Sequence, residues 1–187
     1  MNKVESMRYI RLTAVLLLVA CGDGGTTPTS PPTPPTPVAT SITLSATSLS
    51  FSSLGATQQL TATVKDQNGA TMSGATVTWA TTEAAVATVS SSGLVTSVGN
   101  GTGSVLAVSG SINGTAAVTV AQVVSTLELS PSGTNLSSVG DTITLSATVK
   151  DSGGSTIPDA TVTWATSDTL IATVSAAGLL TARARGS

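Results

Sequence analysis

Ala75–Thr81 reads ATVTWAT, and the same seven residues return letter for letter at Ala160–Thr166. In each copy the side chains alternate. Val77 and Trp79, or Val162 and Trp164, fall on one side, with Thr76 and Thr78, or Thr161 and Thr163, on the other. A period of two is the pattern of a strand with one buried face. The heptapeptide is one part of a longer repeat with a constant offset of 85 residues (Trp79 to Trp164). LTATVKD at Leu60–Asp66 is answered by LSATVKD at Leu145–Asp151, and VATVSSSGLVT at Val86–Thr96 by IATVSAAGLLT at Ile171–Thr181. Gly55 and Gly93 fall opposite Gly140 and Gly178. Self-similarity at this period means two copies of one building unit, each expected to carry its own core.

The rest of the first copy continues the pattern. In LTATVKD, Leu60, Ala62 and Val64 share one face and Thr61, Thr63 and Lys65 the other. Asp66–Ala70, DQNGA, is expected to turn, because Asn-Gly accepts positive φ at little cost. SGSING at Ser109–Gly114 is expected to be the loop of a last hairpin. No stretch after Cys21 has helical periodicity. Some seven short strands in roughly 80 residues, punctuated by Gly and Asn, indicate a β-sandwich. The alternation points Trp79 and Trp164 into the cores as structural residues rather than sugar-stacking platforms.

Composition narrows the function. Of 187 residues 9% are charged and 2% aromatic, histidine is absent, and the net charge is −2. There is no basic patch to neutralise phosphates, so nucleic acid is not an expected partner. Without histidine the common base of serine and cysteine catalysis is missing. Lys65 and Lys150, the only lysines beyond the leader, sit at equivalent strand ends where a solvated charge is expected. The oxygens of Asp66–Asn68 have calcium-ligand chemistry, but the second copy reads Asp-Ser-Gly there, and turn formation accounts for both. The expectation is a non-enzymatic protein with no catalytic residues, no metal and no cofactor.

The amino terminus has the layout of an export signal: Lys3, Arg8 and Arg11, then the apolar run Leu12–Ala20. That run is too short to cross a bilayer core of ~30 Å. Leu18-Val19-Ala20-Cys21 resembles the bacterial lipobox. The resemblance implies cleavage between Ala20 and Cys21 and a thioether-linked lipid on Cys21, the chain's single cysteine. Two or more acyl chains there give stable membrane anchoring. Gly22 rather than Asp follows, which in the enterobacterial pattern implies export to the outer membrane. Residues 22–40 then hold six of the eight prolines and suit a polyproline II tether. At ~3.1 Å per residue it would hold the next domain roughly 50 Å from the membrane.

TVTWATTEAAVATVSSSGLVTSVGNGTGSVLAV at Thr76–Val108 resembles the group 2 bacterial immunoglobulin-like domain, with its Trp-bearing strand, its V/I-A-T-V-S…G-L-V/L-T run and its G-T turn. The resemblance implies an Ig-like sandwich of the kind found in adhesins, surface layers and multidomain secreted proteins, and no catalytic residues. The expected organisation is a lipoprotein signal peptide (1–20), a lipidated cysteine and Pro/Thr-rich linker (21–40), a first sandwich (41–122) and a second (126–187). The second copy is expected to be incomplete: by the offset, Ser187 falls opposite Thr102, nothing answers Gly103–Val120, and Arg183 and Arg185 stand where Val98 and Asn100 do. That leads to the expectation of a fragment of a longer reading frame, with a natural truncation or completion by a partner's strand as the alternatives. Two functions follow as expectations: a cell-envelope stalk or adhesion module with an extracellular protein or polysaccharide ligand, or the anchoring spacer of a longer secreted protein or enzyme.

Overall fold

The computed structural model describes residues 33–185, so Ala20, Cys21 and the leader lie outside the described residues. From Ala39 onward the described chain is all β. The first module contains β1 (Ala39–Leu44), β2 (Ser48–Phe51), β3 (Thr57–Gln59), β4 (Ala62–Asp66), β5 (Thr78–Thr81), β6 (Ala87–Val89), β7 (Leu94–Ser97), β8 (Gly101–Ser109) and β9 (Ile112–Val120). This is nine strands rather than seven, because short segments such as Thr57–Gln59 pair without strong alternation of their own. The strands form the ladders β1–β4, β3–β7–β6 and β2–β9–β8–β5. Every pairing is antiparallel except β2–β9, where Ser48 lies opposite Ala117 and Phe51 opposite Val120.

β8 and β9 are the longest strands, nine residues each, and hold the module together. Their turn is shorter than SGSING suggests: Ser109 already pairs with Ile112, leaving Gly110 at φ 59° in a two-residue connection. Gly110 takes that left-handed conformation without a Cβ penalty. The inward residues Val105, Ala107, Ala116, Val118 and Val120 are buried. Val105, Ala116, Val118 and Val120 join Leu49, Phe51, Leu60, Ala87 and Val95 in one apolar cluster, against which Trp79, Val86 and Val89 pack. At roughly 2 kcal/mol per fully buried valine, the hairpin contributes a large share of the module's stability. β1 lies over β9: a methyl group on Gly114 would stand 3.3 Å from side-chain carbons of both Ile42 and Leu44.

The second module contains β10 (Val124–Ser130), β11 (Thr142–Thr144), β12 (Ser146–Asp151), β13 (Ala172–Val174) and β14 (Leu179–Ala182). It repeats two ladders of the first, β10–β12 and β11–β14–β13. The third ladder is absent among the described residues. Thr163–Thr166, identical in sequence to β5, is not a strand, and neither is Gly133–Leu136, the counterpart of β2. This corrects the expectation that ATVTWAT forms a core strand in both copies. The two missing strands are those that pair with β8 and β9 in the first module. A strand exists through its ladder, and with no partner on that side alternation alone does not make one. The core thins accordingly: among the described residues of the second module, Val149 is the only fully buried apolar side chain.

Candidate functional site: the junction between modules

No cluster of three or more potential metal ligands occurs among the described residues. A polar network lies at the junction of the two modules, and it is built from a turn. Asp66 and Asp151 each end a strand before a tight turn. Asp66 Oδ1 accepts the backbone N–H of Asn68 and of Ala70, both at 2.9 Å. Asp151 Oδ1 accepts those of Gly153 and Ser155, also at 2.9 Å. An aspartate suits this place because its short carboxylate folds back on its own backbone. Gly69 and Gly154 supply the positive φ, 77° and 83°.

In the second module the other oxygen has a further task. Asp151 Oδ2 accepts the backbone N–H of Leu54, in the first module, at 2.9 Å. It also accepts Gln122 Nε2 at 2.9 Å, from the connector. Gln122 is held in turn from the first module: its N–H donates to Asn100 Oδ1 at 2.9 Å, and its Oε1 accepts Asn100 Nδ2 at 3.0 Å. Gln122 Nε2 also reaches the Thr156 carbonyl at 3.3 Å. The connector backbone is fixed as well, with Ala121 N–H bonded to Phe51 O and Val123 N–H to Ser52 O, each at 2.9 Å. A Cβ on Gly153 would meet Leu54 O at 3.0 Å, so the two modules touch at backbone distance.

Asp151 is 2% exposed. Burial works against its charge, but hydrogen bonds from Gln122, Leu54, Ser155 and Gly153 outweigh that and hold its carboxyl below the ordinary value. The group is an anion gripped by neutral donors on both sides of the junction. Its chemistry is that of a fastener.

The residues singled out in the sequence are placed as follows. Trp79 is half-buried against the first core, with its ring edge over Gly93. Trp164 is also half-buried but lines an open groove with Ala165, Thr166, Thr169, Thr173 and Val174. Lys150 pairs with Glu128 across β10–β12 at 2.8 Å; both side chains keep solvent contact, so the pair contributes little. The carboxylate of Asp66 that suggested a calcium ligand spends Oδ1 on its own turn. Sequence reasoning missed Asn100, Gln122 and the second role of Asp151. The available clue was the retention of Lys-Asp before the turn in both copies.

Two ladders recurring at one spacing, closed by equivalent aspartate turns, define a tandem array of Ig-like β-sandwich modules. The chain belongs to the bacterial Ig-like domain (group 2) family, which it matches over residues 38–120 and 123–187. It is similar to Ice-binding protein 1 of Shewanella frigidimarina (strain NCIMB 400), 37% identical over 137 residues. That match takes in 71% of this chain and 15% of the relative, so the chain spans a small part of that protein's length. Among solved structures it is similar to domains 4 and 5 of the S-layer protein SbsC, at 26% identity and a TM-score of 0.42 over 46% of this chain and 53% of that one. Domains 5–6 of the same protein match at 22% identity and a TM-score of 0.42, over 78% and 85% of the respective chains.

Proposed function

We propose that this chain is a lipid-anchored stalk of the cell envelope, in which Ig-like modules act as spacers without catalysis. The junction carries this reading. Asp151, Gln122 and Asn100 tie one module to the next through a connector of three residues, Ala121–Val123, that is itself hydrogen-bonded. A flexible display would need a longer, freer linker. The family membership supports the reading, as does the polar Thr/Ser outer surface. The lipobox-like Cys21 would tie the stalk to the membrane and the Pro/Thr segment would lift it clear.

Asp151→Asn tests the stalk. The asparagine oxygen can still accept from Gly153 and Ser155, while its NH2 would face the N–H of Leu54 and the amide of Gln122. The turn should survive and the junction should loosen. Spin-label distances between the modules should broaden while each module keeps its strand content; an unchanged distribution would count against a fastened junction. For the anchor, Cys21→Ser should release the protein from the membrane fraction, and retention at unchanged mass would refute lipidation.

A second reading has one observation in its favour. The matching region forms 15% of the ice-binding relative, so such modules also occur within much longer chains. There the stalk would present a separate binding or catalytic domain. Ice affinity of this chain alone, measured by recrystallisation inhibition, is expected to be absent under both readings.

A further inference from the structure

Four asparagines occur among the described residues, and three of them precede glycine: Asn68-Gly69, Asn100-Gly101 and Asn113-Gly114. An asparagine before glycine carries its own reaction. The glycine nitrogen has no Cβ beside it, so it can reach the asparagine side-chain carbonyl carbon and close a five-membered imide. The three sites are restrained in different ways. At Asn68 the nucleophile is occupied, since Gly69 N–H donates to Asp66 O at 3.0 Å within the turn. Asn113 lies inside the β8–β9 ladder opposite Val108, where extended backbone turns the next nitrogen away from the side chain. Asn100 is exposed on the bend just before β8. What holds it is Gln122: Asn100 Nδ2 donates to Gln122 Oε1 at 3.0 Å, and Asn100 Oδ1 accepts Gln122 N–H at 2.9 Å.

Both residues of this pair are set by the structure. Gly101 has φ 143°, and a Cβ there would meet Val86 Cγ2 at 2.9 Å. The Asn100 amide serves Gln122 as acceptor and donor at once, and Gln122 in turn bonds Asp151 at 2.9 Å. The susceptible dipeptide is therefore fixed by the first module's backbone on one side and by the junction on the other.

We propose that Asn100-Gly101 is a deamidation site gated by the junction. When Gln122 releases it, the Asn100 side chain can rotate onto Gly101. The Gly101 nitrogen loses its proton to hydroxide and bonds to Asn100 Cγ, and the Cγ–Nδ2 bond breaks as ammonia departs. Water then opens the imide at either carbonyl, giving aspartate or isoaspartate with no change of oxidation state. Aspartate puts a carboxylate oxygen where Nδ2 stood, so that acceptor faces acceptor at Gln122 Oε1. Both products add an anion one residue away from the buried Asp151 carboxylate. The closed junction thus protects Asn100, and once Asn100 has reacted the same closure is lost. The reaction is one-way, so a junction fastened when new gains a hinge with age. The chemistry requires only the docked modules, whatever the chain is anchored to.

Ageing the full chain in mildly alkaline buffer, with peptide mapping that separates aspartate from isoaspartate, tests this. A synthetic peptide of the sequence Ser97–Thr102 supplies the unrestrained rate. Asn100 should react more slowly in the native chain than in the peptide. In Gln122→Ala it should react about fivefold faster than in the native chain, the factor that one neutral hydrogen bond contributes to an opening equilibrium. Asn68 and Asn113 should keep their rates. Asn100→Asp, which carries the aspartate product, should broaden spin-label distances between the modules, and Asn68→Asp should not. A native rate equal to the peptide's overturns the proposal, because nothing then gates the site. So does Gln122→Ala that leaves Asn100 no faster, or that speeds all three asparagines alike, since the latter reports general unfolding. Native distances in Asn100→Asp would also overturn it.

Discussion

At the scale of single residues, two pairs of equivalent positions separate what the local chain needs from what the assembly adds. Gly93 and Gly178 have φ of 84° and 79°, and each lies under the ring of its tryptophan with its missing Cβ aimed at the Leu60 or Leu145 carbonyl. Those carbonyls belong to residues whose own N–H groups bond back to Gly93 O and Gly178 O, at 2.9 and 2.8 Å. Alanine at Gly93 would meet both left-handed strain and collision. Gly93→Ala is expected to destabilise the first module by at least about 1–3 kcal/mol, read as a fall in the midpoint of chemical denaturation. Asp66 and Asp151 form the second pair. Their shared role at the turn was legible from DQNGA, but the bonds of Asp151 to Leu54 and Gln122 were not, because those partners are brought close only by the packing of two modules. The folded carboxyl of Asp151 titrates below its ordinary value of 3.8, so its contribution is present above that value and lost as pH falls through the lower, folded one. Inter-module distances should be constant near pH 6 and should broaden only once the pH has fallen below the ordinary value of 3.8. Asp151→Asn should remove the dependence.

At the scale of elements, one sequence with two outcomes is the clearest lesson. Thr78–Thr81 is a strand and Thr163–Thr166 is not, although every residue is the same. Periodicity showed which face each segment would bury, and the all-β class followed. Whether a ladder forms depends on a partner more than 20 residues further along the chain, which no window around the tryptophan contains. The difference should appear in the two tryptophans. Trp79 packs on a closed core, so Trp79→Ala should cost about 3 kcal/mol. Trp164 borders an open groove, so Trp164→Ala should cost under about 1 kcal/mol, since little cavity is created where none was enclosed. Urea titrations of the two variants, followed by far-UV circular dichroism, would measure both costs. Equal costs would mean that Trp164 is enclosed as fully as Trp79.

At the scale of the whole molecule, the two modules share a junction but not a core, and their stabilities should part company. Val95, Val105 and Leu60 of the first module are 0% exposed, whereas their described counterparts Leu180 and Leu145 remain partly open. Stability in small domains is a narrow surplus of burial over chain entropy, so a module that buries Val149 alone among its described apolar side chains is marginal. Unfolding of the full chain is therefore expected in two steps, the second module first at low denaturant and the first module later in a steeper, cooperative transition. Hydrogen exchange resolves this directly. Amides of β8 and β9 should exchange only through global opening of the first module, and those of β13 and β14 through local opening at much lower free energy. The junction limits how far the two can separate: Leu54 and Gln122 bond to Asp151, so melting of the second module releases one donor on the first and one on the connector. Exchange at Leu54 should therefore follow the second module's transition although the residue belongs to the first. If Leu54 stays protected until the first module unfolds, its bond to Asp151 is not what protects it.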